Sequence, residues 1–159
     1  MYDKMLVPLD GSEVSELVLP YAIEFAKRCG SQVTLLQTVE SLGQAMATMA
    51  PADPVLVTPQ TTESILEGIE AEQQAAREYL TGIAARFKGE GIDTGTVVAS
   101  GSPGTEIIHY VDEQEINVVA MSSHGRGGLG RAILGSVADH VMHHTTVPVL
   151  VLRYTGHGR

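Results

Sequence analysis

The chain has 159 residues, a formal net charge of −9 and 43% hydrophobic residues, enough for one well-buried globular unit and too short for two ordinary ones. The acidic balance argues against nucleic acid as the main partner, because binding to its backbone needs clustered Lys and Arg, and no apolar run approaches the ~20 residues of a membrane span. A lone cysteine, Cys29, excludes an intramolecular disulfide and a cysteine-only metal site.

Met1-Tyr2-Asp3-Lys4 runs straight into strand-like sequence, so no signal peptide is expected and a cytoplasmic location is. Met5-Leu6-Val7-Pro8-Leu9 reads as a short buried strand, with Pro8 near its end because proline cannot donate to a ladder. Asp10-Gly11-Ser12 turns the chain and offers Ser12 as an N-cap. Val14, Leu17, Val18, Tyr21, Ala22, Phe25, Ala26 and Cys29 recur at spacings of three and four. That spacing predicts one helix, closed by Gly30 and burying Cys29 as a core filler. Gln32 to Val39 is the second strand. Residues 41–62, with Pro51, Pro54 and Pro59 among Ala, Met and Thr, predict an irregular insertion loop. Ser64 with Glu67 fits a capping box, and Ile65, Ile69, Ala76, Leu80, Ile83 and Phe87 mark a long helix behind it.

Thr94 to Ser100 is the third strand. Ser102-Pro103 opens a third helix whose buried face is Ile107, Ile108 and Val111, and Asp112, Glu113 and Glu115 form its solvated end. Ile116 to Met121 is the fourth strand. A glycine-rich loop follows and leads into a last helix. Val147 to Leu152 is the fifth strand, and 154–159 is a loose tail behind a single domain spanning 1–153.

Strands alternating with helices predict a doubly wound, Rossmann-like α/β fold, a five-stranded parallel sheet with helices on both faces. An order 3-2-1-4-5 sets strands one and four side by side at the switch point, where such folds bind ligands. Asp10 and the glycine loop then face one crevice.

That loop, Ser122-Ser123-His124-Gly125-Arg126-Gly127-Gly128-Leu129-Gly130-Arg131, runs on through Gly135-Ser136 into the last helix. Glycines let backbone N–H groups approach a ligand, and a helix start adds unpaired donors and about half a positive charge. Phosphate is the guest this combination fits. Salt screens the repulsion between an acidic chain and a triphosphate beyond roughly 8 Å, which leaves the local field of Arg126 and Arg131 and a divalent cation to decide binding. Gly125-x-Gly127-x-x-Gly130 matches a dinucleotide fingerprint away from the first strand where it belongs, and Gly130-x4-Gly135-Ser136 is a P-loop pattern without its lysine.

A longer pattern accounts for more of the chain. Ser122-x2-Gly125-x9-Gly135-Ser136 closely resembles the universal stress protein signature, Gly-x2-Gly-x9-Gly followed by Ser or Thr. The resemblance extends through Val7-Pro8-Leu9-Asp10-Gly11-Ser12, Gly101-Ser102-Pro103, Ser123-His124-Gly125-Arg126 and Val147-Pro148-Val149-Leu150-Val151. It implies an adenine-nucleotide-binding stress-response protein that takes ATP with Mg²⁺ or Mn²⁺, the ion held mainly by the phosphates. In ATP-binding members the glycine loop and the Gly-Ser helix start hold the phosphates, which gives that role to Gly125, Arg126, Gly128, Gly135, Ser136 and Val137. The resemblance places Asp10 at the nucleoside and the backbone around Pro8, Leu9, Thr38 and Val39 at the adenine. Met121, Ser122 and His124 border the same cradle. One departure stands out: the family's first glycine is Ser122, whose Cβ would crowd a closely approaching nucleotide.

The resemblance also implies a homodimer, paired through the Val147–Leu152 edge strand that such an order leaves apolar and open. His140, His143 and His144 have metal-ligand spacing, but histidine is favoured near a helix C-terminus without any metal. Hydrolysis would rest on His124 and Asp10 without a recognisable orienting partner, so slow turnover at most is expected. A nucleotide-free interaction module acting through 41–62 or the dimer surface is the alternative.

Overall fold

Strands buried on both sides need continuous apolar runs, and Met5-Leu6-Val7 and Val118-Val119-Ala120-Met121 supply them at the centre of the sheet. The computed structural model describes residues 1–49, 59–123 and 135–153. Along the chain these form β1 (Lys4–Pro8), α1 (Glu13–Glu16), α2 (Leu19–Cys29), β2 (Gln32–Val39), α3 (Leu42–Met49), α4 (Pro59–Gly89), β3 (Thr94–Ser100), α5 (Pro103–Glu113), β4 (Val118–Ser122), α6 (Ser136–His144) and β5 (Val149–Leu152). All strand pairs are parallel and the order is β3-β2-β1-β4-β5, the doubly wound arrangement expected from the alternation.

Side-chain alternation divides the interior into two layers. Met5, Val7, Leu9, Val33, Leu35, Val118 and Ala120 pack against Leu19, Ala22 and Ala26 of α2 and Leu80, Ile83, Ala84 and Phe87 of α4. Leu6, Leu36, Val119 and Met121 pack on the other face against Ile107 and Val111 of α5 and Ala138 and Val141 of α6. Residue 154 onwards and 50–58 lie outside the described residues.

Several local expectations are corrected. The first helix is two: α1 ends at Glu16 with Leu17 as its C-cap, and α2 starts at Leu19 with Pro20 in its first turn, since the proline ring nitrogen has no N–H for a carbonyl one turn back. The break shifts the helical phase. Leu19 becomes fully buried, whereas Leu17 and Tyr21 are exposed at 41% and 57%. Cys29, expected in the core, is also exposed. The 41–62 segment is not an irregular loop throughout. Leu42, Ala45 and Met46 carry a helical spacing in α3, and the capping box lies at its start: Ser41 N–H donates to Gln44 Oε1 at 3.0 Å and Gln44 N–H to Ser41 Oγ at 3.3 Å. Ser64 and Glu67 sit inside α4, which begins earlier, at Pro59. Ile116 precedes β4, closing α5 with an N–H bond to Val111 O and burying its side chain in the second layer.

A polar clamp joins α4 to α1. Tyr79 O–H donates to Glu16 Oε1 at 3.2 Å and Arg86 Nη1 meets Glu16 Oε2 at 3.3 Å. Burial, then the Glu16 charge, pushes the Tyr79 phenol up to about 12. The folded chain therefore holds this proton more firmly than the unfolded one. Its contribution is complete below pH 10 and is lost as pH rises toward about 12. An alkaline absorbance titration is expected to show one of the five tyrosines ionising last, with Tyr79→Phe removing that step and costing about 1 kcal/mol in urea denaturation. On the opposite face, a Cβ at Gly104 would come within 2.6 Å of the His140 ring. Gly104→Ala is expected to cost about 1–3 kcal/mol through overpacking. His140→Ala in the same chain should restore most of it; a loss that persists in the double variant would exclude the clash as its cause.

Candidate functional site at the carboxyl rim

The pairing of β1 with β4 brings two distant bends together. Met5 aligns with Val118 and Leu6 with Val119, so the parallel strands deliver the Asp10 turn and the end of β4 to the same carboxyl side of the sheet. On the other side Pro8 aligns with Leu36, and Leu9 N–H donates to Leu36 O at 2.8 Å. Thr38, half-buried, and Val39, buried, then end β2 beside the Asp10 turn. Val39 O accepts from Gly101 N–H at 3.0 Å, which draws the β3–α5 turn to the same rim.

The Asp10 turn is pre-set by its own sequence. Gly11 has φ +79°, a left-handed conformation that glycine adopts without strain. Ser12 donates to Asp10 Oδ1 twice, from N–H at 3.0 Å and from Oγ at 2.6 Å. Ser12 Oγ in turn accepts from Ser15 N–H at 3.1 Å and caps α1, as the sequence predicts. Asp10 N–H points at the Ser15 hydroxyl, 3.4 Å away. The aspartate is half-buried and held at the rim.

The other bend is anchored at both ends. Ser123 N–H donates to Leu152 O at 2.8 Å, and Gly135 N–H donates back to Ser123 O at 2.6 Å. The end of β4 and the start of α6 are thus joined directly. Gly135 is the α6 N-cap in extended geometry and brings no capping side chain of its own. The first turn of α6, at Ser136 and Val137, thus receives no cap from its own N-cap residue. Ser136 is exposed, while Val137 is half-buried against the α5–α6 layer. His124, Gly125, Arg126 and Gly128 lie outside the described residues, as does Arg131.

The Ser122 side chain is turned inward. It follows Val118 and Ala120 in the alternation and is only 7% exposed, on the face shared with α2 and α4. Met121, 5% exposed, takes the opposite face. The added Cβ and hydroxyl thus occupy the packed layer rather than the space above the rim. Among the described residues, Ser122 Oγ and Gln37 Oε1 are buried without hydrogen-bond partners. By strand alternation Gln37 shares the face of Val33 and Leu35, and Ser122 the face of Val118 and Ala120, so both are on the α2–α4 side of the sheet. Gln37 is missing from the sequence-based site; the signal was a glutamine where the β2 alternation calls for an apolar residue.

The histidines on α6 serve its end. His143 Nδ1 and His144 Nδ1 each lie 2.8 Å from the carbonyl oxygen four residues back, and the His140 and His144 rings stack at 4.2 Å.

Known proteins share this architecture. Universal stress protein YxiE of Bacillus subtilis is 28% identical over 154 residues, covering 96% of this chain and 100% of the relative. The structure of MJ0577 from Methanocaldococcus jannaschii superposes with a TM-score of 0.78 at 23% identity, over 98% of both chains. A universal stress protein in complex with cAMP gives 0.65 at 18% identity, over 96% of this chain and 97% of that one. The Archaeoglobus fulgidus protein in complex with dAMP gives 0.62 at 20%, over 94% and 97%. These structural likenesses establish the common fold. The sequence pattern of the Universal stress protein family matches residues 1–153, and the chain belongs to that family.

Proposed function

We propose that this protein binds an adenine nucleotide, ATP foremost, at the carboxyl rim and acts in the stress response as a nucleotide-dependent switch or interaction module. The observation that carries this reading is the start of α6, whose glycine N-cap brings no capping side chain, fastened to the end of β4 by the Gly135–Ser123 bond on the same rim as the pre-set Asp10 turn. Unpaired N–H groups and the positive end of a helix attract phosphate, and a fixed carboxylate accepts from ribose hydroxyls. The cAMP and dAMP complexes of the two structural neighbours support adenine as the common element.

In this reading the backbone of Pro8, Leu9, Thr38 and Val39 faces the base and Asp10 the sugar. Met121, Ser122, His124, Gly125, Arg126, Gly128, Gly135, Ser136 and Val137 surround the phosphates, with Mg²⁺ or Mn²⁺ held mainly by phosphate oxygens. The inward Ser122 side chain leaves the first motif position compatible with a close backbone approach. Slow hydrolysis at most is expected, since the two Ser12 hydrogen bonds to Oδ1 fix Asp10 for the sugar and no orienting partner for it or for His124 is recognisable in the sequence.

Equilibrium dialysis with ATP and Mg²⁺ tests the reading. Binding at or below millimolar nucleotide is expected, and none at that concentration overturns it. Gly135 has φ −63°, so Gly135→Leu adds bulk without backbone strain. It is expected to weaken binding by about tenfold or more, roughly 1.4 kcal/mol, with the circular dichroism unchanged.

We also propose a homodimer through β5. Pro148 O and Leu152 O accept from Val119 and Ser123 on β4, so the alternation of a parallel ladder turns the polar groups of Val149 and Val151 toward the open edge. Leu150 is 37% exposed beside them. Sedimentation velocity is expected to show a dimer for the native chain and a monomer for Leu150→Lys; an unchanged dimer in the variant would place the interface elsewhere.

A further inference from the structure

Charge is unevenly spread along this chain. From Glu40 to Ala76 there is no Lys, Arg or His, and the first cation of α4 is Arg77. Glu40, Glu63, Glu67, Glu70 and Glu72 are exposed, and none of them enters an ion pair among the described residues. Farther along, α4 and the turn after it are paired normally, through Arg86–Glu16 and Lys27–Glu90. The first half of α4 therefore presents an uncompensated negative surface.

An apolar groove of about 470 Å³ runs through that surface, between α3, α4 and the end of β2. Ala45, Ile65, Gly68 and Ile69 line it together with the carboxylate-bearing Glu40 and Glu72. Gly68 has no positive φ, and a Cβ added there would meet nothing within 4 Å. The helix backbone does not require glycine at this position, and glycine inside a helix weakens it relative to alanine. The missing side chain leaves the α4 backbone open to close approach in the groove. Leu66, 43% exposed, extends the apolar surface beside it.

We infer that the α3–α4 groove docks a cationic amphipathic helix of a partner protein. An apolar lining that includes a small residue accepts the apolar stripe of a second helix. Unpaired carboxylates in the same lining complement Lys or Arg flanking that stripe and select against acidic surfaces. Anionic lipid and nucleic acid are repelled by the same charges.

Fluorescence anisotropy tests this with a labelled peptide of roughly 18 residues built from Leu and Lys, its leucines at i, i+3, i+4 and i+7, against a peptide of equal composition reordered to carry no helical stripe. Using the full chain without nucleotide, the striped peptide is expected to bind about tenfold tighter or more, and more weakly as salt rises. Gly68→Leu, which fills the trough, and Glu40→Lys with Glu72→Lys, which reverses its charge, are each expected to lose about tenfold or more, with unchanged circular dichroism. Asp112→Lys with Glu113→Lys, on α5, should bind as the native chain does. Equal affinity for the two peptides, equal loss in the α5 variant, or native binding by Gly68→Leu would each overturn the inference. So would a dimer abolished by Gly68→Leu in a chain that ignores the peptide, which would make a second copy the occupant. No nucleotide enters the measurement, so its failure leaves the reading of the rim untouched.

Discussion

The pairing of β1 with β4 is the constraint on which the rest of this molecule depends. It sets β1 and β4 side by side and in parallel, so the turns that leave their carboxyl ends open onto the same rim. The pairing is secured from both faces. Met5 and Val7 with Val118 and Ala120 close one layer, and Leu6 with Val119 and Met121 closes the other. A one-residue slip would exchange the two sets and drive each against the wrong helices. Such a strong requirement for register lets short, locally simple turns act as parts of one site.

The sheet was largely legible because its signal is strong. Apolar runs alternate with amphipathic stretches, and only a parallel, doubly covered arrangement buries both. The parts misread are those where a small local device outweighed periodicity. Pro20 split a continuous-looking stripe and brought Leu19 inside in place of Leu17 and Tyr21. In the insertion, the Ser41–Gln44 box caps a helix ahead of the prolines that mark an irregular segment.

The rim divides in the same way. Asp10, Ser12, Ser122 and Gly135 could be singled out because their residue types constrain local backbone or capping. Gln37 could not, since its burial depends on the packing of β2 against helices distant in sequence. The direction of Ser122 was likewise a tertiary matter. Motif comparison identified it as a serine in a glycine's place, and only strand alternation within a packed layer showed which way its side chain goes.

The Tyr79–Glu16–Arg86 clamp makes α4 a mechanical element. At about 1.5 Å per residue its 31 residues span roughly 46 Å, and Gln60 lies about 28 Å from the clamp. Pivoting at Tyr79 by some 2° would swing the far end by about 1 Å. The clamped glutamate belongs to α1, the short helix that Ser12 caps directly after Asp10. The mouth of the sheet and the longest helix are thus joined through one short capped helix and a single glutamate.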